Sequence, residues 1–157
     1  KSLFGDNFTH IWIIPAITFI ISAVIAFSTG SSWSTMALIY PVMIPAAYAV
    51  CMDAGVDAMP ILYNTVACVL AGSVLGDHCS PISDTTILSS LACSCNHINH
   101  VKTQMPYALT VGAISLCIGI IPGALGVPSY ITFPAGIFAA YLVVRFVGKP
   151  NIQEVKP

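Results

Sequence analysis

The chain has 157 residues, 57% of them hydrophobic and only 7% charged, with a net charge of −1. Soluble domains carry roughly 25% charged residues, and a soluble chain this apolar would expose patches that drive aggregation. Composition therefore excludes a water-soluble globular protein, and the charge balance offers nothing to nucleic acid.

The expected fold class is an all-α, polytopic membrane protein. Apolar runs fall at about residues 11–27, 36–52, 59–75, 85–95, 105–125 and 129–147, and a helix needs about 20 residues to cross a bilayer. The first two runs are joined by Ser28-Thr29-Gly30-Ser31-Ser32-Trp33-Ser34-Thr35, in which six of eight residues are hydroxylic and none is charged. Two readings are open: a polar turn between spanning helices, or a re-entrant hairpin over about residues 11–52. In the hairpin, Thr29, Gly30, Ser31, Ser32, Ser34 and Thr35 form a tip at the bilayer midplane. Both arms are then short, and Pro41 and Pro45 suit an irregular return arm. Trp33 is expected to pack at this tip.

The next element, about residues 59–95, reads as one span broken at Gly76–Ser83, because the run at 85–95 is too short to cross alone. Pro81 supports the break, since its missing N–H leaves the carbonyl of Asp77 without a helical partner. Irregular backbone at membrane depth is tolerated where it is buried in protein or lines a cavity. The runs at 105–125 and 129–147 read as ordinary spans. Lys102, in the loop 96–104, and Arg145, Lys149 and Lys156, at the end, are two spans apart. They share a side, which the positive-inside rule makes cytoplasmic. The acidic loop Asp53–Ala58 then falls outside.

The break is also the chemical centre. Gly76-Asp77-His78-Cys79-Ser80-Pro81-Ile82-Ser83-Asp84-Thr85-Thr86 holds two carboxylates, an imidazole and four hydroxyls between uncharged runs. An aspartate at the centre of a membrane helix costs about 2.5–3.5 kcal/mol, and such residues usually mark ion or substrate pathways. Sodium, a hard cation, prefers oxygen ligands, and Asp77, Ser80, Ser83, Asp84, Thr85 and Thr86 supply them. On a continuous helix Asp77 and Asp84 would be about 10.5 Å apart along the axis, so unwinding decides whether they meet. A buried carboxylate resists charging, which lets a proton and a sodium ion compete for one site. Asp84 alternatively caps the second half-helix. His78 is free to orient Asp77, relay protons or hydrogen-bond the broken backbone.

Cys93-Ser94-Cys95-Asn96-His97-Ile98-Asn99-His100 carries ligand types for zinc, but structural zinc pairs use other spacings. Buried cysteines and loop histidines explain it better. The irregular spacing of the six cysteines also argues against a disulfide framework. No resident metal or cofactor is expected, and the absence of an HExxH pair argues against an intramembrane enzyme. The first apolar run lacks the basic lead and cleavage site of a signal peptide. A first residue of Lys1 suggests a piece of a longer protein.

The hydroxyl-rich tip, the eleven-residue motif Gly76–Thr86 and the continuation Asn96-His97-Ile98-Asn99-His100-Val101-Lys102-Thr103-Gln104-Met105-Pro106-Tyr107 resemble the NhaC-type Na⁺/H⁺ antiporter family over about residues 11–126. The resemblance implies a multi-pass protein of the plasma or inner membrane that exchanges sodium for protons. It implies that residues 1–157 are the C-terminal part of the transporter's transmembrane domain, about half of an inverted-repeat transporter. The partners expected are the lipid bilayer, small cations, the missing N-terminal half and, as a further candidate, a second copy. By this analogy the tip and the break face one another, with Gly76, His78 and Pro81 in support. Some relatives exchange organic acids such as malate and lactate, which stands as the alternative.

Overall fold

The structure is a computed structural model that describes Ile11 and residues 13–147. Lys149 and Lys156, two of the expected cytoplasmic charges, lie outside the described residues. Among those residues the chain is wholly helical apart from short turns. Four helical segments are long and apolar enough to cross a membrane, consistent with a polytopic membrane protein.

Helix α1 (Ile13–Thr29) and helix α2 (Ser32–Ala54) form an antiparallel pair joined at Gly30 and Ser31. The return arm is not the short, irregular one expected. It is a continuous helix of 23 residues, about 34 Å long. Pro41 and Pro45 each remove one ladder hydrogen bond, yet both are exposed on the outer side of the helix and do not end it. Ser31 caps α2 by accepting the Ser34 N–H at 3.4 Å. At the other end Gly55, in the left-handed region at φ +67°, returns its N–H to the carbonyls of Cys51 and Met52, the usual glycine stop. The acidic loop is shorter than expected, because Asp53 lies in the last turn of α2. Asp57 caps helix α3 (Ala58–Cys79), accepting the Met59 N–H at 3.1 Å.

Helix α3 packs chiefly on α1, and the two run parallel. Gly72 and Gly76 set that packing. A Cβ on Gly72 would come within 2.9 Å of the Ser22 Cβ, and one on Gly76 within 2.8 Å of the Ala26 Cβ. Small residues one turn apart let membrane helices approach this closely, where dispersion and polar contacts replace the hydrophobic driving force. A small cluster of Cys51, Ala58 and Ile61 ties α2 to the start of α3.

Helix α4 (Asp84–Ala92) follows the break, and helix α5 (His97–Ile114) begins only four residues later. The loop expected at 96–104 is therefore mostly helix, and Asn96 caps it by accepting the Asn99 N–H at 3.2 Å. Helix α5 continues through a π turn (Ser115–Ile120) into helix α6 (Ile121–Ala124), a run of 28 residues. Pro122 cannot donate to the ladder, and the π turn resets the register just before it, with the Ile121 N–H reaching the carbonyl of Leu116. Helix α7 (Ser129–Val147) returns the chain, so Lys102 and Arg145 lie at the same end of this antiparallel pair.

Candidate functional site

The break covers Ser80–Ser83, and Gly76–Cys79 remain helical. Proline sets where it falls, but the carbonyl of Asp77 is not left free as expected. The Ser80 N–H turns back to it at 3.1 Å, the tighter bond common at helix ends. The Ser80 hydroxyl accepts the Ile82 N–H at 3.3 Å, and Ser83 takes the N-cap position of α4.

The tip meets this break. Gly30 sits at φ +67°, and a Cβ there would come within 2.8 Å of the Ile82 side chain and 2.9 Å of its carbonyl oxygen. Only glycine suits both the left-handed backbone and the close approach. Thr29 and Thr35 close the tip with an Oγ1–Oγ1 hydrogen bond of 3.1 Å. Thr35 is fully buried, whereas Ser32 and Ser34 face outward to varying degrees. Trp33 is 81% exposed, so it does not pack at the tip as expected.

The two aspartates have opposite environments. Asp77 is 5% exposed, and its Oδ1 is buried without a hydrogen-bond partner. Asp84 is exposed and accepts the N–H of Thr85 at 2.8 Å. It occupies the first turn of α4 and not the cap, a position where a carboxylate complements the helix dipole. Ser80, Ser83 and Thr86 are buried with Asp77, while Thr85 is exposed and pairs with Ser83 at 2.8 Å. His78 reaches neither Asp77 nor the broken backbone. Its Nδ1 bonds the carbonyl of Val74 in its own helix at 3.2 Å. It then lines a polar pocket of about 170 Å³ with Thr85, Thr86, Ser89, His100 and Gln104.

Three groups went unread in the sequence. Ser22 and Ser73, both fully buried, each present a hydroxyl with no partner. Ser73 precedes Asp77 by one turn, and Ser22 abuts Gly72 across the seam. The Gly72-x-x-x-Gly76 spacing immediately before Asp77 is the signal that a close helix pair lies there. The third group is His97, read as a loop histidine. Its Nε2–H donates to the carbonyl of Pro81 at 2.6 Å, and its Nδ1 faces the Ser90 hydroxyl at 3.2 Å. A carbonyl accepts only, so Nε2 carries the proton. His97 thus pins the start of α5 to the break. Replacing it with alanine should leave that carbonyl unpaired, at about 1–3 kcal/mol. Faster hydrogen exchange at Ile82 and Ser83 is the expected readout, with His97→Gln restoring part of the protection. Unchanged exchange in His97→Ala would refute this role.

All six cysteines are free, and no group of three or more metal-ligating side chains occurs among the described residues.

The model of the Na⁺/H⁺ antiporter family matches residues 1–126 of this sequence. The chain belongs to the Na⁺/H⁺ antiporter family. The chain is 50% identical over 108 residues to an uncharacterized protein of Haemophilus influenzae, covering 69% of this chain and 19% of that protein. It is 31% identical over 106 residues to the arginine/ornithine antiporter ArcD of Halobacterium salinarum, covering 68% and 20%. It is 27% identical over 120 residues to the malate-2H⁺/Na⁺-lactate antiporter of Bacillus subtilis, covering 76% and 24%. The chain thus spans about a fifth of the length of the curated relatives it matches. No solved structure matches it significantly.

Proposed function

We propose that this chain is the C-terminal portion of an NhaC-type secondary transporter that exchanges sodium for protons across the plasma membrane. Asp77 is the carrier carboxylate. It binds either a sodium ion or a proton, never both, so that movement of one is coupled to the return of the other. The observation that carries this reading is the buried Asp77 with an unpartnered Oδ1, beside a glycine-tight contact between the tip and the break. A membrane protein retains such a group, at a cost, when it serves a pathway. Ser80, Ser83 and Thr86 add buried hydroxyls within the same motif. The exposed Asp84 is a first encounter point for a cation, not the carrier.

The names of two relatives favour a second reading, an ion-coupled exchanger of amino acids or organic acids. A substrate anion needs a fixed positive partner. The lysine and arginine among the described residues, Lys102 and Arg145, are both exposed near helix ends, and neither is buried as a clamp for an anion. That supports the cation exchanger. Alternating access by inverted repeats needs both halves around a midplane site, so we assign transport to the longer protein and not to these residues alone.

The test is a sodium pulse applied to vesicles that carry the full-length transporter and a pH-sensitive dye. Sodium alone should drive proton movement, with no organic substrate present. Proton movement that requires malate, lactate, arginine or ornithine would replace this reading with the second.

A further inference from the structure

Six of the hydroxyls buried among the described residues fall into two kinds. Thr18 donates to the carbonyl of Ile14 at 2.8 Å, Thr65 to Ile61 at 2.8 Å, Thr35 to Ser31 at 2.9 Å and Ser90 to Ile87 at 2.8 Å. These four satisfy themselves on their own helix, the ordinary fate of a serine or threonine inside a helix. Ser22 and Ser73 do not. Both are fully buried, and neither oxygen has any partner. A carbonyl one turn back is present in each helix, so the same local solution was open to them. Leaving a buried polar group unpaired costs about 1–3 kcal/mol. Two such groups in one seam, together with the orphaned Oδ1 of Asp77, call for a common occupant.

Their placement supports one. Ser73 and Asp77 stand four residues apart on α3, the spacing that puts side chains on one helical face. Ser22 lies across the seam from Gly72, the residue before Ser73. The absence of side chains at Gly72 and Gly76 is what brings α1 this close. Two neutral hydroxyls and one carboxylate make a hard, oxygen-only ligand set of net charge −1. That charge balances a monovalent cation and leaves a divalent one under-neutralised.

We propose that Ser22 and Ser73 are ligands of the transported ion, forming with Asp77 a site for a small monovalent alkali cation inside the α1–α3 seam. The binding site then extends one turn deeper than the break and takes in α1 as well as α3. This rests on the reading of Asp77 as the carrier, and goes beyond it in naming where the cation is stripped of water.

The experiment measures sodium-driven proton movement by the full-length transporter in vesicles at fixed pH, over a range of sodium concentrations. Ser73→Ala and Ser22→Ala should each raise the sodium concentration for half-maximal rate about tenfold, the scale of one lost contact to a charge. The rate at saturating sodium should fall far less. Ser73→Cys keeps the volume but offers a soft sulfur, and should shift the same way. Because the removed hydroxyls have no protein partner, the alanine variants should accumulate as folded protein at wild-type levels. Unchanged half-saturation in both, with Asp77→Asn inactive, overturns the serine ligands and spares the carrier. Loss of folded protein on removing either hydroxyl also overturns them, since it assigns a structural partner. Exchange that survives Asp77→Asn removes the carrier reading itself, and the serine site with it.

Discussion

Asp77→Asn in the full-length transporter is expected to reduce sodium-driven proton movement to the level of empty vesicles. The substitution keeps the shape of the side chain, so packing around a residue only 5% exposed is preserved. It removes the buried charge proposed to hold the cation and, with it, the carboxylate proposed to take up the returning proton. A neutral amide in the seam is also cheaper to bury than a carboxylate, so the variant should be at least as stable as the parent to heating in detergent. That combination, full stability with no exchange, separates a functional charge from a structural one. The exposed Asp84 provides the internal comparison. Asp84→Asn should lower the rate modestly and leave exchange intact, because its carboxylate touches only the adjacent Thr85 amide. Equal loss in both variants would contradict the assignment of Asp77 as sole carrier.

Gly76→Ala is expected to be the most damaging structural change available in one atom. The new Cβ would run into the carbonyl oxygen of Ala23, and would come within 2.8 Å of the Phe27 nitrogen, a second backbone atom, and of the Ala26 Cβ. Flexible side chains can yield to an intruding methyl, but a helix backbone cannot, so α1 must move off α3. Overpacking of this kind costs typically about 1–3 kcal/mol and occasionally more. The displacement would propagate to the adjoining end of the seam, pulling Gly30 away from Ile82 and opening the burial of Asp77. A lowered unfolding temperature in detergent should accompany a loss of exchange. Gly112→Ala serves as the contrast. Its nearest obstacle is the end of the Leu75 side chain at 2.6 Å, which can rotate away. A Gly76→Ala protein as stable and active as the parent would show that the seam is looser than described.

Much of this architecture is legible in the residues themselves. Sparse charge and long apolar runs dictate membrane helices, because backbone polar groups in lipid must be satisfied within each segment. Pro81 removes one N–H from the ladder and so favours a break near Asp77, although Pro41 and Pro45 sit inside the continuous α2. The motif Gly76–Thr86 identifies the family through its order of residues, a signal that does not depend on folding.

What the residues in order did not reveal is which of those oxygens turn inward. Asp77 and Asp84 are the same residue type in one motif, yet one is buried and the other exposed. The difference arises because α3 continues to Cys79 and keeps Asp77 against its neighbours, whereas α4 restarts at Asp84 and turns it outward. Ser22 and Ser73 look like any hydroxyl in an apolar run, and only the approach of α1 to α3 removes them from water without giving them a partner. His97 stands 16 residues from Pro81 in the chain, and nothing local specifies that bond. Helix formation is set by short-range periodicity and capping, but burial and pairing depend on which helix faces which. That is settled by packing across the α1–α3 seam and by the contact of the tip with the break.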